Sequence, residues 1–447
     1  MQDERYDVIL IGAGAAGEHC AARLAEGGAR VAIAERELVA GECSYYACIP
    51  SKTLLRPGEA LAGALAAPGA REAVTSDVDV AQALAWRDFM VSDYDDSAQA
   101  KWLSDNGIDL YRGSAAIDGP GRVKVGRATL EAKDIVIATG SEPFIPPIDG
   151  LAELEGVWTN REVTGVREIP ESLTVLGGGP VGVEMAQAMT RFGSTVTLVE
   201  GSDRVLPHEP QPLGEALGEA LAADGVQLRL NSRATRVSRA NGGYLVTFDD
   251  GTSTESEKLL VATGRRPRVG GIGLETVGVQ PGQRGIPVDA RMKVADGLWA
   301  IGDVTGIWPL TYVGKYQGRI AASNILGHER SANYDAVPRV VFTDPQAAAV
   351  GEAQGALTGR AAIGEVPRTA TYTRAYDQLP GFLTLVSDGE RLTGAYALGP
   401  DAGEWMQQAT LAVRAKVPLE VLRDTIQPFP TFSEIFYFAL ANLDSSQ

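Results

Sequence analysis

The sequence predicts an α/β protein that builds one dinucleotide-binding unit twice and closes with an α+β region, and three observations in its 447 residues say so. A short apolar run, a glycine turn, a helical stretch and a second apolar run ending in an acid open the chain. The same order returns with a constant offset, since Gly177 follows Gly12 by 165 residues and Glu200 follows Glu35 by the same 165. From about residue 337 the pattern changes again, to Val340-Val341-Phe342-Thr343-Asp344-Pro345 and alternating strands after Tyr372.

In the first copy, residues 6–11 are an apolar run too short for a helix, followed by Gly12-Ala13-Gly14-Ala15-Ala16-Gly17 and a helical pattern to about residue 27. Gly12, Gly14 and Gly17 permit a tight turn and let the backbone approach a pyrophosphate at the helix N-terminus, where unpaired N–H groups and the helix dipole favour anions. The run 30–34 ends in Glu35, whose carboxylate is suited to both hydroxyls of a ribose. In the second copy, 173–176 leads into Gly177-Gly178-Gly179-Pro180-Val181-Gly182, a helix follows to about 192, and the run 195–199 ends in Glu200. Each copy is followed by hairpin-like β pattern and a strand ending in Thr-Gly, over 134–140 with Gly140 and over 259–264 with Gly264. Asn241-Gly242-Gly243 and Asp249-Asp250-Gly251 predict the turns of a meander. The stretch 57–106 is predicted helical, with Asp93-Tyr94-Asp95-Asp96 as a solvated acidic face.

Composition narrows the class. An apolar content of 45% with 52 glycines describes a globular protein rich in tight turns, long enough for about three domains. A net charge of −17 argues against nucleic acid and anionic membranes as partners. Three cysteines are too few for a secreted disulfide scaffold. The polar start runs directly into a strand, and no apolar run reaches the roughly 18 residues of a membrane helix, so the expected location is the cytoplasm. No metal site is read from the pattern.

Two of the three cysteines, Cys43 and Cys48, stand five apart in Gly41-Glu42-Cys43-Ser44-Tyr45-Tyr46-Ala47-Cys48-Ile49-Pro50-Ser51-Lys52. A helix or slightly irregular turn brings such a pair to one face, near a bound dinucleotide. C-x4-C followed by Ile-Pro-Ser-Lys, just after a dinucleotide fingerprint, resembles the redox-active disulfide of the pyridine nucleotide-disulfide oxidoreductases. The resemblance extends to Leu298-Trp299-Ala300-Ile301-Gly302-Asp303 and a helix opening near Thr311, and covers essentially the whole chain. It implies FAD in the first dinucleotide site, with Asp303 on the ribityl chain, and NAD(H) in the second, NADP(H) being less favoured because Glu200 repels a 2′-phosphate. It further implies that Cys48 is the charge-transfer thiol against the flavin and Cys43 the interchange thiol that meets substrate, both with lowered pKa values. Lys52 matches the lysine beside the flavin and Glu184 its acidic partner. The implied domains are FAD-binding (1–147), NAD(P)-binding (148–265), a return segment completing the FAD domain (266–334) and an interface domain (335–447) by which two subunits pair and share active sites.

One position departs from the family. Its C-terminal signature is His-Pro-Thr with Ser-Glu, whereas this chain reads Gln427-Pro428-Phe429-Pro430-Thr431-Phe432-Ser433-Glu434, so Phe429 stands where the general acid–base histidine belongs and Glu434 is retained. His19, His208 and His328 are the only histidines, and none is placed by sequence to replace it. Phe429, Phe432, Phe436 and Phe438 either pack a subunit interface or predict a dry pocket, with Glu434 or a tyrosine hydroxyl as proton carrier. The expected activity is therefore NADH-driven reduction of a disulfide or another small electrophile by unusual proton chemistry. Electron transfer straight from flavin to a quinone, or a redox sensor that never turns over, are the alternatives.

Overall fold

Gly12 and Gly17 explain how the first half of the chain folds. Gly12 has φ +106°, and a Cβ there would lie 2.4 Å from the Ala138 carbonyl oxygen; a Cβ on Gly17 would lie 2.1 Å from the oxygen of Gly12. Only glycine lets the chain turn here and lay its helix this close to the strand it has just left. The computed structural model describes residues 4–366 and 381–445, so the expected strands over 372–380 lie outside the described residues. The chain forms two units, one of Met1–Pro50, Arg87–Phe144 and Gly264–Asn333, the other of Ser51–Trp86, Ile145–Thr263 and Tyr334–Gln447.

In the first unit the strands run in the order Lys293–Ala295, Leu298–Ala300, Ala128–Ile137, Glu4–Ile11, Val31–Glu35 and Ile108–Arg112. The last five of these strands are mutually parallel, in a register that sets Leu10 beside Ile33 on one side and Val136 on the other. Ala115–Ile117 and Arg122–Val125 add an antiparallel pair. Strands at the centre of a parallel sheet are covered on both faces, which is why Val31 to Ala34 are buried without alternation. The helix Ala15–Glu26 follows the first strand, and Thr311–Ile325 packs on it where Gly314 and Gly318 let the backbones approach Ala16 and Cys20.

The second unit repeats the opening. Ser172–Leu176, the helix Pro180–Arg191 and Thr195–Val199 take the places of Glu4–Ile11, Ala15–Glu26 and Val31–Glu35, and the second helix begins and ends 165 residues after the first. Its parallel sheet reads Gln227–Arg229, Thr195–Val199, Ser172–Leu176, Lys258–Val261. The meander is present as Ala234–Ala240, Gly243–Phe248 and Ser253–Ser256, its first turn made by Asn241 and Gly242 at φ +50° and +83°. A five-stranded antiparallel sheet, Arg339–Val341, Gln346–Gly351, Leu392–Gly399, Phe382–Ser387 and Leu357–Ala362, carries the C-terminal core with Trp405, Phe436 and Leu440.

The stretch 57–106 is mainly helical as expected, with a single 3₁₀ turn, Arg71–Ala73, between the helices ending at Ala66 and starting at Val80. Two local expectations are corrected. The strands before Thr-Gly stop early, at Ile137 and Val261, ahead of Gly140 and Gly264, whose φ of +72° and +117° cannot continue a strand. The acidic run is partly structural, since Asp96 accepts from Val39 N–H at 2.6 Å and from both terminal nitrogens of Arg112 at 2.6 and 2.9 Å.

A Cβ on Gly182 would come within 1.9 Å of the Gly177 oxygen. Gly182→Ala is therefore expected to push the second helix off its strand and lose about 1–3 kcal/mol or more, read as a lower denaturant midpoint. A variant as stable as the parent would show that this helix tolerates displacement.

Candidate active site

The glycine turn is a cradle shaped for something other than the protein. A Cβ on Gly14 would meet nothing within 4 Å, so the protein's own packing does not require glycine at that position. No side chain caps the helix that starts at Ala15, which leaves its first N–H groups directed into that open space. Glu35 seals the side of the turn, accepting from Ala13 N–H and Glu37 N–H, each at 2.8 Å. The second copy reproduces these contacts: Glu200 accepts from Gly178 N–H at 2.8 Å and Ser202 N–H at 2.9 Å, each donor again 165 residues after its counterpart. A Cβ on Gly179 likewise meets nothing. Both turns thus fit an extended phosphate-bearing dinucleotide.

Downstream of the first cradle, Asp303 follows the strand Leu298–Ala300 in a 3₁₀ turn, Gly302–Thr305, and accepts from Ser141 Oγ at 2.7 Å. The cysteines lie in the same unit. Cys43 sits in the five-residue helix Gly41–Tyr45, the chain breaks step at Tyr46, and Cys48 begins the helix Cys48–Ala66. That irregularity brings the two Sγ atoms to 2.7 Å, with Thr311 Oγ1 at 3.2 Å from Cys43 and 3.4 Å from Cys48. Thr311 opens the helix Thr311–Ile325, so the helix N-terminus is at the sulfurs.

The protein's own groups do not by themselves lower the Cys43 pKa. Its hydrogen bond to Cys48 and its burial hold the thiol well above the ordinary range, and the opposing Thr311 hydroxyl and Lys315 charge are the smaller effects. Sequence reasoning weighed the cations and the expected flavin but not the cost of a second sulfur in contact. Cys20, entirely buried, is pushed up to about 12 by desolvation.

In the second unit Lys52 Nζ lies 2.7 Å from Glu184 Oε2, with the lysine about one-third exposed and the carboxylate 5% exposed. Glu184 Oε1 accepts from Phe342 N–H at 2.9 Å, and the ammonium stands 4.7 Å from the centre of the Phe342 ring. The structure thus joins these two candidates into one desolvated pair.

Three of the four phenylalanines share one core: Phe436 is buried against Trp405, and Phe432 and Phe438 pack on the same C-terminal cluster, Phe438 also meeting Tyr437 edge to face, while Phe429 is 71% exposed. Glu434 ends the 3₁₀ turn Phe432–Glu434. Tyr45 is buried among Ala40 and Val91, and desolvation pushes its phenol up to about 12. Tyr46 stacks on Tyr94 with ring centres 5.6 Å apart. Among the described residues no group of three His, Cys, Asp or Glu side chains is disposed to hold a metal, and no helix is long and apolar enough to cross a membrane.

The sequence profile described as pyridine nucleotide-disulphide oxidoreductase matches residues 6–318, and the dimerisation domain of the same name matches 337–439. The chain is 36% identical to a dihydrolipoyl dehydrogenase of Thermus scotoductus over 96% of this chain and 95% of that one. It is 31% identical to a mercuric reductase of Lysinibacillus sphaericus over 99% of this chain and 84% of that one. Among solved structures, the HOCl-induced flavoprotein disulfide reductase RclA of Escherichia coli, as its Cu(II) complex, superposes with a TM-score of 0.86 at 27% identity, covering 98% of this chain and 99% of that one.

One acid in the first unit titrates near neutrality. Burial raises Glu18 to about 7, assisted by Glu35 and opposed by Lys315. An acid whose folded pKa exceeds its unfolded value contributes least to stability when ionised, so this contribution falls as pH rises from about 4.5 to 7. Glu18→Gln is expected to unfold at the same temperature as the parent at pH 5 and at a higher one at pH 8; a gap that does not widen with pH would show that Glu18 ionises freely.

Proposed function

Because the chain belongs to the pyridine nucleotide-disulphide oxidoreductase family, whose members are FAD-dependent and take electrons from NAD(P)H, we propose that it passes electrons from NADH to the Cys43–Cys48 pair and on to a disulfide or another small electrophile. The observation that carries the reading is the contact of the two sulfurs beneath the N-terminus of the helix that follows Asp303. FAD, when bound, supplies the two-electron exchange between nicotinamide and sulfur.

In this reading Gly12, Gly14, Gly17, Glu35, Gly140 and Asp303 hold FAD, and Gly177, Gly179, Gly182, Glu200 and Gly264 hold the nicotinamide dinucleotide. Cys48 is the thiol against the flavin, Cys43 the one that meets the acceptor, and Lys52 with Glu184 the ion pair that responds to reduction. The Glu200 carboxylate, held by Gly178 and Ser202, stands where it repels a 2′-phosphate and supports NADH over NADPH, with Arg204 and Arg233 as the nearby cations that would soften the preference. The four domains take the boundaries 1–147, 148–265, 266–334 and 335–447. The dimerisation domain supports a homodimer, and the exposure of Ile426 and Phe429 supports a C-terminal segment that completes a site in the partner subunit. A dithiol that must cycle suits the reducing cytoplasm.

Anaerobic titration with NADH tests the reading: two thiols per chain should appear at Cys43 and Cys48, faster with NADH than with NADPH. Cys43→Ser should abolish disulfide reduction. If instead the Cys43→Ser, Cys48→Ser double variant reduces every acceptor as fast as the parent, electrons leave from flavin directly and the chain is a quinone-type reductase. If no acceptor drives turnover, it is a sensor.

Phe429 bears on the substrate. A phenyl ring accepts no proton, so ordinary dithiol–disulfide exchange lacks a group that typically contributes a factor of about a hundred to ten thousand. Phe429→His is expected to raise lipoamide reduction toward that range, and Glu434→Gln to lower turnover with the native acceptor. Flat lipoamide rates together with a silent Glu434→Gln would make this segment packing alone.

A further inference from the structure

Cys43 is carried by a helix that cannot hold itself. Gly41–Tyr45 is five residues long, and one backbone bond, from Tyr46 N–H to the Glu42 carbonyl at 2.8 Å, closes its end. So short a helix has almost no stability of its own. The chain enters it through two successive left-handed residues, Ala40 at φ +80° and Gly41 at φ +67°, the first of them a conformation that a Cβ disfavours. A Cβ on Gly41 would lie 2.8 Å from Gly14 Cα, so the helix is also wedged against the glycine turn.

What fixes it is a side chain next to the sulfur. Glu42 is 15% exposed, and each of its oxygens is taken by a different guanidinium: Oε2 by Arg265 Nη2 and Oε1 by Arg268 Nη2, the latter at 2.9 Å. Arg265 is itself held by Ser141, donating from Nε to the hydroxyl at 2.8 Å and from Nη2 to the carbonyl at 2.9 Å. Ser141 then donates to Asp303. The ribbon formed by Arg265–Pro267 and Ser141–Pro143 alternates, so Arg266 between them turns outward to Glu142. Two cations on one carboxylate also cancel the negative charge that a free Glu42 would set beside a thiolate.

We propose that Glu42, clamped by Arg265 and Arg268, is the positioning residue for Cys43, and that the clamp sets the effective concentration of the Cys43 sulfur at Cys48 and hence the stability of their disulfide. The proposal rests on the reading that these two thiols cycle. Two charge-assisted hydrogen bonds, one from each guanidinium to a different carboxylate oxygen, fix the orientation of Glu42 as well as its distance, which a single contact would not. Loosening them leaves Cys43 more conformations as a dithiol than as a disulfide, so the disulfide is the form that loses.

The test is equilibrium exchange of the FAD-loaded protein with glutathione, in which one protein disulfide and two glutathione thiols give two protein thiols and one glutathione disulfide. Acid quenching, alkylation and peptide mass counting read Cys43 and Cys48 separately. Glu42→Gln is expected to lower the constant for disulfide formation about tenfold, which is about 30 mV for a two-electron couple. Glu42→Asp should fall between Glu42→Gln and the parent. Arg266→Gln, which alters the same ribbon on its outer face, should stay at the parent value. A Glu42→Gln protein with full FAD and a constant within twofold of the parent overturns the proposal. If Glu42→Gln does not fold, Arg268→Gln, which removes one of the two guanidinium bonds to Glu42, decides by the same shift or its absence. A parent that forms no Cys43–Cys48 disulfide at any glutathione ratio overturns the reading beneath the proposal, an outcome visible before any variant is made.

Discussion

The closeness of the helix Ala15–Glu26 to the strand before it is the constraint on which the rest of the molecule depends. Gly17 sits where any Cβ would strike the Gly12 carbonyl, and Gly12 where any Cβ would strike Ala138. With that approach made, the helix N-terminus faces the space in front of Gly14, and Ala13 and Glu37 offer their N–H groups to Glu35. The second copy repeats the approach, with Gly182 against Gly177, and the same carboxylate then takes the same two amides. A duplication that survives at the level of single hydrogen bonds means that both copies are still held to one geometric requirement, that of a pyrophosphate at a helix end.

The reactive sulfurs depend on the same helix. Gly41 lies against Gly14, so the short helix of Cys43 is set by the glycine turn. Gly314 and Gly318 let the helix Thr311–Ile325 lie on Ala16 and Cys20, and that helix carries Thr311 to both sulfurs. A substitution that moved the first helix would therefore disturb cradle, cysteine helix and Thr311 together.

What could be read from the sequence was what is local or repeated. Glycines at fixed offsets, the acid ending each second strand, the five-residue cysteine spacing and the Asn-Gly turn each act within a few residues, so the chain displays them directly. The contacts that tune the site join distant residues and leave no such trace. Arg265 meets Glu42 across 223 positions, and Thr311 meets Cys43 across 268. A charged residue between Gly41 and Cys43 was the available signal for the first, but nothing in the sequence names its partners. The count of rings in the aromatic stretch does not say which of them face the core: those at 432, 436 and 438 do, while 429 is exposed.

The proton is where the site departs furthest from what its motifs imply. Cys43 keeps its proton more firmly than a free thiol, because the contact with Cys48 and burial both favour the neutral form. A phenyl ring such as that of Phe429 takes up no proton. Burial pushes the Tyr45 phenol up to about 12, a weaker acid than a free tyrosine. Beside the sulfur, the Thr311 hydroxyl donates to Cys43 and so favours its anion, and the Lys315 charge acts in the same direction. Both stabilise a thiolate without being able to carry its proton away.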